Sequence, residues 1–226
     1  MNVSRKEFQI ERTPQELQEY MASVNHFVEH DPELVKLARL KKEPYKTFDE
    51  ELRPFSAFCS WKYRNRTDVT CSLLSENSAG DALVQDHSTG KDHLIEITWP
   101  MNGKKAIKEG QQLNEKGMTD GECWDFENNI PLREIVNRVL SIAQKKLTRD
   151  YRTKKGMSTL LFVFSEWRYY DDDNPKDQAV LNELVQKLKL NHFKVDNVVV
   201  LLVQSNKFIE VKTSNVVSSL QGKYKR

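Results

Sequence analysis

The sequence predicts an α/β fold, a mixed central sheet with flanking helices, and three observations carry that prediction. Residues 130–152 place Leu132, Ile135, Val136, Val139, Leu140, Ile142, Ala143 and Leu147 on one broad face, the pattern of a long amphipathic helix. The runs 159–164 (TLLFVF) and 197–203 (NVVVLLV) are continuously apolar and β-rich, with an amphipathic stretch over 176–190 between them. Strand, helix and strand in that order make a buried parallel pair joined by a crossover. Residues 81–86 and 93–99 are strand-like runs on either side of a short polar segment containing Gly90, which makes an antiparallel hairpin. Parallel and antiparallel pairs in one chain give a mixed sheet.

The remaining elements follow in order. Thr13-Pro14-Gln15-Glu16 has a capping Thr, a first-turn Pro and a Glu three residues after the cap, and opens a helix over 14–29. Asp31-Pro32-Glu33 repeats that grammar, and the stripe Leu34, Leu37, Ala38, Leu40 carries a second helix to Lys41, ended by Pro44. Phe55, Phe58, Trp61 and Tyr63, then Val69, Cys71, Leu73 and Leu74, read as a hairpin or two consecutive strands around Asn65-Arg66. After the hairpin, Pro100 and Gly103 interrupt the chain, 104–116 reads as a short helix stopped by Gly117, and a loop holds Cys123 and Trp124. A last edge strand, 208–212, turns back at Ser205-Asn206. The organisation is an N-terminal helical segment (1–45), an α/β core (46–213) and a polar tail (214–226) within a single domain.

Composition excludes several function classes. Lys and Arg total 35 against 33 Asp and Glu, a net charge of +2, so nucleic-acid binding would have to rest on local clusters. Cys59, Cys71 and Cys123 are widely spaced, without a CxxC pair, which argues against a disulfide framework or a zinc site. No stretch approaches the ~20 apolar residues of a membrane span, and the charged N-terminus lacks a signal-peptide pattern, so cytoplasmic residence without a membrane partner is expected. Motifs of nucleotide-cofactor and acyl-transfer chemistry are missing.

The hairpin carries the chemistry. If its turn pairs Asp86 with His93, Asp81 falls opposite Thr98 and Leu83 opposite Glu96, so Asp81, Glu96 and Thr98 share one face. Two carboxylates on neighbouring strands suit a hard divalent cation such as Mg²⁺ or Mn²⁺, which takes oxygen ligands and activates water against a phosphodiester. A rival carboxylate pair is Asp196 with Glu210 in Glu210-Val-Lys212, but only a polar tail follows it.

The order helix, strand, Asp-bearing strand, Glu-bearing strand, helix, strand resembles the PD-(D/E)XK, or restriction endonuclease-like, superfamily over roughly residues 32–203. In that resemblance Asp81 stands at the family's Asp and Glu96-Ile97-Thr98 where it carries (D/E)-x-K. The resemblance implies a restriction endonuclease-like core, Asp81 and Glu96 as ligands of Mg²⁺ or Mn²⁺, and an endonuclease acting on DNA or RNA. Thr98 departs from the pattern at the position of the lysine that orients water or stabilises charge. Lys104, Lys105 and Lys108 are the nearest substitutes in sequence, with Gln111 or Gln112 one turn further on, so the candidate catalytic set is Asp81, Glu96, Thr98, Lys104 and Gln112. Glu50 or Glu51, preceding the first strand, can add a further carboxylate, as an N-terminal-helix glutamate does in some nucleases that the chain resembles.

Lys145, Lys146, Arg149, Arg152, Lys154 and Lys155 form a basic run at the end of the long helix, a candidate phosphate-contacting surface together with Lys62, Arg64 and Arg66. His26 and His30, four residues apart, have no third ligand in view, and the Asp171-Asp-Asp-Asn-Pro run suits a helix start. A competing expectation is a catalytically silent nuclease-like scaffold serving as a protein-interaction or assembly module, with Thr98 marking lost chemistry.

Overall fold

The computed structural model describes residues 3–100, 103–119, 130–153, 156–164, 171 and 173–211. The chain begins with helices α1 (Arg5–Phe8), α2 (Pro14–Glu29), α3 (Pro32–Arg39) and α4 (Tyr45–Thr47). A π-helical turn (Phe48–Leu52) then leads into α5 (Arg53–Tyr63). Strands β1 (Val69–Leu73), β2 (Ala82–Asp86) and β3 (Lys91–Thr98) follow, then α6 (Gly103–Lys116), α7 (Ile130–Lys146), β4 (Gly156–Phe164), α8 (Pro175–Lys189), β5 (Asn197–Leu202) and β6 (Lys207–Val211).

The helix starts form as their sequences dictate. Thr13 Oγ1 accepts from the Glu16 N–H while Glu16 accepts from the Thr13 N–H at 2.8 Å, closing a capping box, and Asp31 caps α3 through the Glu33 N–H at 2.9 Å. The stretch Phe55–Tyr63 is a helix, not the expected strand. Aromatic content favours strands, but Phe48, Leu52, Phe55, Phe58 and Cys59 fall at helical spacing and all are buried on one side, and Pro54 sits in the first turn of α5. The second helix stops at Arg39, before Pro44, and Pro44 then caps the start of a new helical run. The long helix stops at Lys146, short of the expected Arg152, because the chain turns to the sheet: the Tyr151 N–H donates to the Lys194 carbonyl at 3.0 Å. The loop with Cys123 and Trp124, the residues Lys154 and Lys155, and the tail lie outside the described residues.

The six strands form one mixed sheet in the order β1-β2-β3-β4-β5-β6. Pairs β1–β2, β2–β3 and β5–β6 are antiparallel, and β3–β4 and β4–β5 are parallel. The parallel β4–β5 pair crosses over through α8, as its continuous apolar runs require. Beyond β1, Arg12 exchanges two backbone hydrogen bonds with Cys71, at 2.7 and 3.1 Å, which covers part of that edge.

Alternation along the strands makes two cores. Ile95, Ile97, Leu161, Val163, Val199 and Leu201 pack against α1, α2, the π-helical turn and α5. Leu160, Phe162, Phe164, Val198, Val200 and Leu202 pack against α7 and α8 on the opposite face. Among the described residues no helix is long and apolar enough to cross a membrane.

Candidate functional site

The hairpin register differs from the expected one by two residues: Asp86 pairs with Lys91 and Ala82 with Ile95, and Asp81, one step before β2, bonds to Ile95 and Ile97, the two neighbours of Glu96. Strand side chains alternate with a period of two, so a two-residue shift preserves the parity of the paired residues and moves Asp81 from the level of Thr98 toward Glu96. The turn shortens to His87–Gly90, with Gly90 at φ 65° and Asp86 Oδ1 accepting from the N–H groups of Ser88 and Thr89.

Backbone bonds hold Asp81 from both sides. Its N–H donates to the Ile95 carbonyl at 3.0 Å and its carbonyl accepts from the Leu74 N–H at 2.8 Å. Its carboxylate Oδ2 accepts from the Ile97 N–H at 2.7 Å, so the side chain itself bridges to the Glu96 strand. Burial, with the charge of Glu96 as second cause, pushes the Asp81 carboxyl up to about 6, against the Ile97 N–H, Lys146 and Arg149.

Glu96 is buried in mid-strand, 6% exposed, and three groups reach its Oε1: Lys146 Nζ at 2.6 Å, the Tyr151 hydroxyl at 3.4 Å and the Arg149 guanidinium at 3.5 Å. The lysine beside the carboxylates therefore comes from the end of α7. Lys146 and Arg149 were expected only as part of the phosphate-contacting run, and Tyr151 was not singled out; a separation of fifty positions between Glu96 and Lys146 leaves no spacing signal for the contact. Lys104 and Gln112 lie on α6, which packs on α3 through Asn114, whose amide donates to the Lys36 carbonyl at 3.2 Å.

Thr98 continues the same face of β3. It is 5% exposed, and its Oγ1 has no hydrogen-bond partner among the described residues. A buried hydroxyl without a partner costs free energy unless a ligand or water meets it.

The two candidate glutamates of the π-helical turn differ in their surroundings. Glu50 faces Lys41 at 3.7 Å, whereas Glu51 is pushed up to about 7 by burial and then by the charge of Asp81. The π-helical turn that carries Glu51 is tied to the end of β3, where the Trp99 indole N–H donates to the Glu50 carbonyl at 2.6 Å. π-Helical turns occur often at functional sites. Among the described residues no three His, Cys, Asp or Glu side chains form a ready-made metal cage. The oxygen-rich pair Asp81 and Glu96, with the unpartnered Thr98 hydroxyl, has the donor chemistry that Mg²⁺ or Mn²⁺ takes, since Mg²⁺ needs only one or two carboxylates and retains several waters.

The other candidates fall elsewhere. Arg66 is committed to Asp68 at 2.6 Å and Asp86 at 3.0 Å, and β2 runs its whole length between Asp86 and Asp81, so this arginine is not beside the carboxylates. Arg152 holds Asp150, and Lys145 is exposed on α7. In the rival motif Asp196 accepts from Ser158 N and Oγ, and Glu210 pairs with Val199 on an edge strand; Lys212 lies outside the described residues. His30 Nδ1 lies 2.7 Å from the His26 carbonyl, a local bond at the end of α2.

No family model matches the chain, and neither a curated protein nor a solved structure matches it.

Proposed function

We propose that this protein is a divalent-metal-dependent nuclease with a restriction endonuclease-like core, hydrolysing phosphodiesters of DNA or RNA in the cytoplasm. The observation that carries the reading is the meeting of Asp81 and Glu96 across the hairpin with the Lys146 ammonium on Glu96. The strand directions support it as well: three antiparallel strands, with the Glu-bearing one running parallel to the next strand.

In this reading Asp81 and Glu96 hold Mg²⁺ or Mn²⁺. The bound ion supplies a Lewis acid and an activated water. Lys146 takes the part of the motif lysine, replacing Thr98: its Nζ carries a positive charge at the carboxylates, where charge builds on the phosphate during attack. The Thr98 hydroxyl offers a hydrogen bond to water in the same place. Arg149 and Lys145 extend the positive surface along which a phosphate backbone lies.

The test is cleavage of a panel of single- and double-stranded DNA and RNA with Mg²⁺ or Mn²⁺. Wild type cleaves a member of the panel, and Glu96→Gln and Lys146→Met abolish cleavage while melting as cooperatively as wild type. Unchanged cleavage in Glu96→Gln overturns the assignment.

A second reading, a silent nuclease-like scaffold that binds a protein partner, draws on the neutralisation of Glu96 by Lys146 and Arg149 together with Thr98 at the motif position. It predicts no heat of Mn²⁺ binding and no cleavage on any substrate of the panel.

A further inference from the structure

We propose that Lys146 is a place-holder for the divalent cation: its ammonium lies on the Glu96 carboxylate and competes with the ion for it. The inference rests on the metal-site reading above and adds to it a competition between a cation of the chain and one from solution.

The charges at the site are matched. Lys146 Nζ lies 2.6 Å from Glu96 Oε1 and the Arg149 guanidinium 3.5 Å from the same oxygen, to which the Tyr151 hydroxyl donates at 3.4 Å. Asp81 is fixed to the two neighbours of Glu96, its N–H on the Ile95 carbonyl at 3.0 Å and its Oδ2 accepting from the Ile97 N–H at 2.7 Å. Arg152 is engaged by Asp150. Two carboxylates therefore stand with two cations, Lys146 and Arg149. A doubly charged ion added to that set is uncompensated in a place where burial of Glu96 weakens screening by salt and water. The repulsion falls when the Lys146 ammonium moves off the carboxylate.

Of the three groups on Glu96, one is fixed and two can move. Tyr151 is buried and its N–H donates to the Lys194 carbonyl at 3.0 Å, which holds its hydroxyl at Glu96. Lys146 is the last residue of α7 and partly exposed, and a lysine is a point charge on a flexible four-carbon stem. Arg149, beyond the end of α7, has an exposed side chain that lies over the Tyr151 ring, 5.6 Å from its centroid. Lys146 makes the shortest contact with Glu96, so its charge opposes an incoming ion most directly. The neutralisation of Glu96, on which the scaffold reading draws, then becomes the resting arrangement of a working site.

The test is Mn²⁺ titration by calorimetry of the full chain at neutral pH and fixed salt, as wild type, Lys146→Met, Lys146→Arg and Glu96→Gln. Couplings between bound groups run from about 5- to 150-fold, so Lys146→Met should tighten Mn²⁺ binding by about tenfold. Lys146→Arg keeps the charge and stays at the wild-type affinity, and Glu96→Gln abolishes binding. A merely structural lysine would lower the melting temperature on replacement and leave Mn²⁺ affinity unchanged or weaker; tighter binding by a less stable variant is the signature of the competition. Should Lys146→Met fail to fold, Lys146→Gln, which removes the charge and keeps a donor for Glu96, gives the same comparison. Binding by wild type that Lys146→Met leaves unchanged or weakens, or that Lys146→Arg tightens as much as Lys146→Met does, overturns the place-holder alone. Mn²⁺ binding by neither wild type nor Lys146→Met, or full binding by Glu96→Gln, overturns the metal-site reading and the place-holder with it.

Discussion

Lys146 Nζ lies 2.6 Å from Glu96 Oε1, and the two side chains are 19% and 8% exposed, so a lysine from the end of α7 is spent on a carboxylate in the middle of β3. Removing one partner of a buried pair leaves the other charge uncompensated, a cost of about 3–5 kcal/mol when burial is complete. Arg149 and Tyr151 remain beside Glu96 after Lys146→Met, so the expected loss is smaller, about 1–3 kcal/mol, read as a lower urea midpoint at unchanged slope. Glu96→Gln/Lys146→Met regains part of that loss, because it removes both charges.

The carboxyls at the site give the protein a stability profile that falls toward neutral pH. The Glu51 carboxyl is raised from its ordinary 4.5 to about 7 and that of Asp81 from 3.8 to about 6, so the folded state holds more protons than the unfolded state between those limits. This contribution is complete below about pH 4 and is lost as pH rises through 6 to 7. Glu51→Gln should therefore melt at a higher temperature than wild type at pH 8, and the difference should vanish on acidification below the ordinary Glu value. Thermal melts of both proteins across that range check it.

His93 acts in the opposite direction. It bridges Tyr63 Oη, 2.5 Å from Nδ1, and Thr159 Oγ1, 2.6 Å from Nε2, and burial holds it down to about 3 from 6.5. Its folded pKa is depressed, so its contribution is complete above pH 6.5 and is lost as pH falls toward 3. Tyr63→Phe leaves Nδ1 without its partner and should cost about 1–3 kcal/mol by denaturant melts at neutral pH.

The start of the β3–β4 pairing tolerates no side chain at Gly156, where a Cβ would overlap the carbonyl oxygen of Asp92, its partner across the parallel pair. Backbone cannot give way as a side chain can, so Gly156→Ala should destabilise the fold by about 1–3 kcal/mol. Hydrogen exchange should report the loss first at the beginning of β3 and β4.

Lys145 is exposed next to the Glu96 partners on α7, whereas Arg152 already holds Asp150 at both carboxylate oxygens. If phosphates lie along this surface, Lys145→Ala should reduce the salt dependence of nucleic-acid binding by about one unit of slope, and Arg152→Ala should change it less. Binding isotherms at several salt concentrations separate the two.

Much of the architecture was legible because it rests on local rules. The caps at Thr13 and Asp31, the turn around Gly90, the apolar strands β4 and β5 and the helix between them all form where the sequence places them. The hairpin was legible for the same reason, but its register was not: the turn closes two residues tighter than expected and brings Asp81 to the neighbours of Glu96. At Phe55–Tyr63 the local rule misled, since aromatic residues suit strands, and burial against the sheet at helical spacing made the helix.

By itself, then, the sequence determined an α/β chain with a hairpin that carries Asp81 at its start and Glu96 in its second strand, because periodicity and turn chemistry act over a few residues. Tertiary structure alone decided which lysine meets Glu96, what ties the π-helical turn to the end of β3 and what becomes of Arg66. Those outcomes depend on where α7 ends, how Trp99 captures the Glu50 carbonyl and which end of β2 the close of α5 reaches, and these are packing relations between segments far apart in the chain.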